Sequence, residues 1–177
     1  MVATVTVVEA TDAGPNWNTI TNCRFNTSDE HDPVLTYPIP IPAAGFNYSY
    51  WKSVALNLAD TFTRINNVRH YCDGAISWGL GTGGAVNRGN TGIADGSYVQ
   101  STGTPGTTGT EVVTGHSGIA SVSAITSDTS GSPFTVDSAN HDSAERTNHI
   151  VMQVKVDTDA TNGVQTAETF TWIYDEI

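Results

Sequence analysis

The stretch Ile150-Val151-Met152-Gln153-Val154-Lys155-Val156, followed by Asp157-Thr158-Asp159-Ala160-Thr161-Asn162-Gly163 and then Val164-Gln165-Thr166-Ala167-Glu168-Thr169-Phe170-Thr171-Trp172-Ile173-Tyr174, decides the fold class. Ile150, Met152, Val154 and Val156 recur at every second position, the period of a strand with one buried face. Asp, Thr, Asn and Gly then supply turn chemistry, because short polar side chains bond their own backbone and Gly accepts positive φ. Val164, Thr166, Glu168, Phe170, Trp172 and Tyr174 alternate again. The pattern predicts a long β-hairpin whose second arm is the last strand.

The same period recurs upstream. Residues 2–8 are β-branched and partly alternating, and residues 19–25 place Thr19, Thr21, Cys23 and Phe25 on one face. Phe46, Tyr48 and Tyr50 lead into Val54, Leu56 and Leu58. Trp51, Val54, Ala55 and Leu58 also satisfy a helical spacing, but the alternation is continuous from Phe46, which favours strands. Ile65–Cys72 reads as another strand, ended by Asp73-Gly74, and residues 119–125 alternate through Ala120, Val122 and Ala124. Many short strands with Gly-rich connections predict a single all-β domain over 1–177, a β-sandwich or jelly roll.

Two segments break the pattern. Pro33, Pro38, Pro40 and Pro42 fall within ten residues, and proline lacks the amide that a central strand or a helix requires. Segment 33–42 is therefore expected to be an extended arm, with its Ile and Tyr side chains packed on the domain's own flank or on a neighbour. Residues 79–118 are rich in Gly and Thr and poor in large apolar side chains, which predicts long loops or a flexible flap.

Composition narrows the function. Of 177 residues, 38% are hydrophobic and only 14% charged, while Thr alone supplies 26 positions. Seven Lys and Arg against 18 Asp and Glu give a net charge of −11. That balance argues against a phosphate-binding surface, so no nucleic-acid partner is expected. No apolar run approaches the roughly 20 residues of a membrane helix, and no membrane partner is expected. The start, MVATVTVVEA, has no basic n-region or long apolar core of a secretory signal, which predicts that the chain stays in the cytoplasm where it is made. Cys23 and Cys72 are then expected as thiols, with a disulfide as the alternative.

Several motifs carry possible chemistry. Gly79-Leu80-Gly81-Thr82-Gly83-Gly84 has the letters of a dinucleotide loop, but no helical pattern follows it. Asp157, Asp159, Thr161 and Glu168 stand at calcium-loop positions 1, 3, 5 and 12, with glycine at position 7 rather than 6. A hairpin turn is the simpler reading of them. His141, Asp142 and His149 around Glu145 lack a recognised metal spacing, and His116 in Gly-His-Ser-Gly is not part of a nucleophile elbow. His70 lies in a strand pattern. No catalytic residue, cofactor or metal is expected. Trp17, Trp51, Trp78 and Trp172 could stack on a sugar, but Trp172 alternates like a core residue, and Trp78, beside glycines, is the best candidate for an exposed contact.

Three stretches appear in order along most of the chain: Phe46-Asn47-Tyr48-Ser49-Tyr50-Trp51-Lys52, Phe62-Thr63-Arg64-Ile65-Asn66-Asn67-Val68-Arg69-His70-Tyr71-Cys72-Asp73-Gly74, and Glu168-Thr169-Phe170-Thr171-Trp172-Ile173-Tyr174-Asp175-Glu176. In them the chain resembles a group of tailed-bacteriophage virion proteins. The resemblance implies a small β-sandwich component of head or tail and carries over no catalytic residue. The expectation is a non-enzymatic capsid decoration or cement protein in the virion. Its partners would be the major capsid protein or other virion subunits, and it would be a homo-oligomer in the assembly. Pro38, Ile39, Pro40, Ile41, Pro42 and Trp78 are the expected partner contacts. The alternatives are a tail or baseplate component, a carbohydrate-binding attachment module and, last, a glycanase with a carboxylate pair.

Overall fold

The structure is a computed structural model, and it describes residues 2–31 and 36–177. The strands are β1 (Thr4–Thr11), β2 (Asn16–Thr19), β3 (Phe46–Tyr48), β4 (Lys52–Ala59), β5 (Ile65–Cys72), β6 (Ala85–Gly89), β7 (Gly103–Thr104), β8 (Thr108–Gly109), β9 (Val122–Ala124), β10 (Phe134–Asp137), β11 (Ile150–Asp157) and β12 (Phe170–Glu176). Among the described residues one α-helical turn, α1 (Val112–Gly115), and two 3-10 turns, Asp95–Ser97 and Ile125–Ser127, interrupt them. The fold is all-β and sandwich-like, as the alternation predicts.

The first sheet has the order β2-β1-β4-β11-β6-β9, with β3 also on β11; the second has the order β10-β5-β12. All pairings are antiparallel. Even-numbered β11 residues Ile150, Met152, Val154 and Val156 join Val54, Val86, Cys72 and Val136 in one buried cluster, against which Phe134, Phe170 and Trp172 pack. A neighbouring cluster joins Leu56 and Leu58 to Phe62, Ile65 and Val68. These clusters fill the space between the two sheets. Each such side chain, fully buried, contributes about 1.5–3 kcal/mol.

The other face of the first sheet is covered too. Val151 and Trp51 pack with Ile93, Val112 and Ile119, supported by Val99, Val113 and Val122. Residues 90–121 thus form a third layer. This corrects the expectation of a flexible flap over 79–118: part of that stretch is β6, inside the first sheet, and much of the rest is a packed cover. Its glycines allow close approach. A Cβ on Gly109 would lie 2.2 Å from the Ser49 carbonyl oxygen. With both faces covered, Lys52 through Leu56 are all buried.

The expected hairpin over 150–174 does not form. β12 pairs with β5, with Trp172 opposite His70, rather than with β11. The physical reason is that both flanks of β11 are taken, by β6 on one side and by β3 and β4 on the other. After Asp157 the chain crosses to the second sheet instead of folding back.

The run from Phe46 to Leu58 is strand, as the alternation predicts, but it is bulged. Tyr48 opposes Lys155 and Lys52 opposes Met152, so three residues, Ser49 to Trp51, face two on β11. The expected strand over 19–25 does not form: β2 precedes it and ends at Thr19, and residues 20–25 are irregular. Ile20, Cys23 and Phe25 pack on the inter-sheet cluster from irregular backbone, because they close the end of the sandwich rather than extend its ladder.

Candidate docking groove

The second sheet leaves the inner face of the first sheet uncovered at one end. A groove of about 560 Å³ opens there, with Val154 and Val156 as its floor. Phe25, Ile39, Ile41, Trp78, Leu80 and residues 160–167 line its sides. Its volume falls within the roughly 300–1,000 Å³ typical of ligand sites, and its walls are mainly apolar. Among the described lining residues, Arg24 alone is charged.

The sequence-predicted contacts are partly assembled here. Pro38, Ile39, Ile41 and Trp78 line the groove together. Pro40 and Pro42 do not; the Pro40 carbonyl instead accepts the Asn47 side-chain amide at 2.9 Å. Residues 33–35 lie outside the described residues, and the described part of the arm is 36–42. The arm rests on the domain's own flank, since Ile39 and Ile41 pack on the inter-sheet cluster. Thr27 clamps it: the Thr27 amide donates to the Tyr37 carbonyl at 2.9 Å, and its hydroxyl lies 3.2 Å from the Tyr37 and Pro38 carbonyls. Trp78 is half-buried rather than exposed, edge-on to Phe25 at 6.1 Å. Its indole N–H donates to the Thr166 carbonyl at 2.7 Å, so only part of the ring faces the groove.

The glycine loop and the acidic turn prove to be partners. The Thr82 amide and hydroxyl donate to the two Asp159 carboxylate oxygens at 2.8 and 2.5 Å. The Gly83 amide donates to Asp157 at 2.8 Å. These bonds hold the Asp159 carboxyl below the usual carboxylate range. Glu168 accepts instead from the Ser77 amide and hydroxyl at 3.2 and 3.1 Å. The calcium-loop positions therefore do not converge, and among the described residues no group of three acidic, His or Cys side chains is placed to hold a metal.

The histidines are also dispersed. His141 Nδ1 lies 2.8 Å from Glu145, and its Nε2 lies 3.3 Å from Asp137. Asp142 pairs outward with Arg64 at 2.9 Å. His149 sits elsewhere, edge-on to Trp17 at 5.6 Å. His116 packs on Trp51 and His70 on Trp172, at 5.9 and 5.0 Å between ring centroids. Burial pushes His70 and His149 down to about 4, so both are neutral near pH 7. Each Trp ring thus meets a different aromatic neighbour, at 62–74°. They do not form the stacked platform a sugar would need.

One polar feature near the groove escaped the sequence reading. Lys52 and Glu9, 2% and 0% exposed, form an ion pair at 2.9 Å inside the sandwich. The Lys52 ammonium also donates to the Glu30 carbonyl at 2.6 Å. Burial pushes the Glu9 carboxyl up to about 7, against the pull of Lys52. Cys23, a free thiol on the groove lining, stands beside Glu9; burial and that carboxylate push its thiol well above the ordinary range, so it is a poor nucleophile. Cys72 is also free, and its thiol donates to the Gly74 carbonyl at 3.1 Å. Only the alternation of β1 and β4 signalled the pair, since Glu9 and Lys52 continue the inward-facing positions.

These features define an all-β antiparallel protein of two packed sheets and a cover layer that carries the β7-β8 hairpin, with an apolar groove at one end. The chain matches no protein-family model, no curated protein and no solved structure.

Proposed function

We propose that the chain is a non-enzymatic structural component of a bacteriophage virion, seated on the outside of the head as a decoration or cement protein. The observation that carries this reading is the groove. It gathers Pro38, Ile39, Ile41 and Trp78 around an apolar floor, and a neighbouring subunit's side chains can fill it. The arm is already ordered against the body, so docking costs little additional entropy. The net charge of −11 supports the outer surface, because packaged phosphates would repel the chain from the inside. The bulk of the molecule suits a passive clamp, being built of three packed layers.

Quantitative mass spectrometry of purified particles tests the reading. A copy number comparable with the shell subunit is expected. A low copy number moves the protein to the tail, and absence from particles overturns the virion reading. Ile39→Asp, at the groove wall, is expected to abolish binding to shells stripped of the protein while the isolated chain stays folded.

A further inference from the structure

The interface between the first sheet and the 90–121 layer holds two histidines. His149 is fully buried at the start of β11, and its backbone amide and carbonyl pair with those of Ile93 in the layer, both at 2.9 Å. Its ring meets Trp17 at 5.6 Å and Tyr98 at 6.3 Å, and neither ring nitrogen has a hydrogen-bond partner among the described residues. His116 follows α1 and is 2% exposed against Trp51. Its Nδ1 accepts the Gly118 amide at 3.1 Å, while its Nε2 is unpartnered. Three unsatisfied ring nitrogens in one apolar seam are costly to protonate, since the charge would have no solvent and no counter-ion in contact.

We propose that residues 90–121 are an acid-released cover: protonation of His149 and His116 lifts this layer from the first sheet while the second sheet stays in place.

The charged and titratable groups facing His149 are few. Asp95 and Arg146 form a two-point ion pair across the same seam, with Arg146 stacked over Trp17 at 4.4 Å. Asp95 favours a proton on His149, while Arg146 and His116 oppose it. Tyr98 is held neutral by burial and surrounding carboxylates. Burial outweighs Asp95, so His149 falls to about 4 and His116 also falls. In the opened layer both rings return toward the ordinary value near 6.5. The sign follows. Above pH 6.5 the closed layer keeps its full stability; between 6.5 and about 4 the open form binds protons more tightly and gains population. The sandwich interior, filled by the two other clusters, holds one such ring, His70, against two in this seam, so acid weakens it less.

Hydrogen exchange of the full chain, corrected for intrinsic rates, tests this between pH 7 and 4. Peptides from 90–121 are expected to lose protection at higher pH than peptides of β5 and β10. His149→Phe and His116→Gln, which cannot charge, are expected to lower that midpoint by roughly half a pH unit or more. NMR titration of the histidine rings in the unaltered protein gives a second readout, and both rings should protonate together with layer opening. The proposal is overturned if the layer and β5 lose protection at one midpoint, if the rings stay neutral while the layer opens, or if Asp95→Asn shifts the midpoint and His149→Phe does not.

Discussion

Gln153 closes the bulge opposite Ser49: its side-chain amide donates to the Ser49 carbonyl at 2.7 Å, and the Ser49 hydroxyl accepts the Val154 amide at 2.9 Å. The same Gln153 amide donates to Thr110 at 2.7 Å, and its oxygen accepts the Val112 amide at 2.8 Å. One buried side chain therefore satisfies three backbone groups of the bulge and the cover layer. Gln153→Leu keeps the volume but orphans all three. At about 1–3 kcal/mol for each unsatisfied buried group, with some relaxation, the expected loss is about 4 kcal/mol. Urea unfolding monitored by tryptophan fluorescence reads it directly.

The cover layer's glycines separate packing from flexibility. A methyl on Gly109 would collide with the Ser49 carbonyl and the Tyr50 amide, whereas a methyl on Gly96 meets nothing within 4 Å. Gly109→Ala is expected to cost about 2–3 kcal/mol as overpacking. Gly96→Ala should stay within about 0.5 kcal/mol of the parent. Equal effects in thermal melts would mean that the layer is loosely held.

This contrast also explains what the sequence made legible. Alternation over Ile150–Val156 gives the two faces of β11 correctly: even positions lie between the sheets and Val151 faces the cover. It does not give the neighbour, because side-chain period encodes a face while ladder pairing depends on distant segments; hence the hairpin that did not form. The cover layer was hidden because Ile93, Val99, Val112 and Ile119 are too widely spaced to show a period. Of the groove, proline density and an indole beside glycines flagged Pro38, Ile39, Ile41 and Trp78. Val154 and Val156 read as ordinary core, and nothing local marks the place where the second sheet stops covering them. The Gly79–Gly84 loop binds carboxylates, but those of Asp157 and Asp159, more than 70 residues away.

That loop gives a local prediction. Asp159→Ala removes the acceptor of both Thr82 bonds. Amide exchange at Thr82 should rise sharply, while β4 and β11 stay protected. In the parent protein the same bonds should survive acidification until Asp159 protonates, below the usual carboxylate range. Amide-resolved NMR through the acid range shows both effects.

His70 predicts how global stability depends on pH. It is fully buried between Phe170 and Trp172, with neither ring nitrogen bonded among the described residues. Burial pushes it from 6.5 to about 4, with Asp128 opposing and Arg88 assisting. The unfolded chain therefore binds this proton more tightly than the folded one. Stability is unaffected above pH 6.5 and declines from there to about pH 4, by up to about 3 kcal/mol from this residue. His70→Phe should reduce the slope of that part of the profile in melting temperature against pH, leaving the share of His149 and His116. An unchanged slope would show that His70 is solvated in the folded protein.

The Glu9–Lys52 pair sets the last test. Both groups are buried, both have left water, and Glu9 keeps one oxygen without a hydrogen-bond partner. Attraction at 2.9 Å offsets desolvation only while both partners are present. Lys52→Met leaves the Glu9 carboxyl alone among apolar side chains and the Glu30 carbonyl without its donor. The expected cost is about 3–5 kcal/mol. It should ease as pH falls, because the stranded carboxyl can then take up a proton. Glu9→Leu strands the ammonium and is expected to cost a similar amount. The double variant removes both charges and fills the site with apolar volume, so it should recover to near the parent stability. A double-mutant cycle by urea unfolding at pH 7 is expected to show a coupling of several kcal/mol. Additive single losses would instead mean that water reaches the pair and that this end of the sandwich is open.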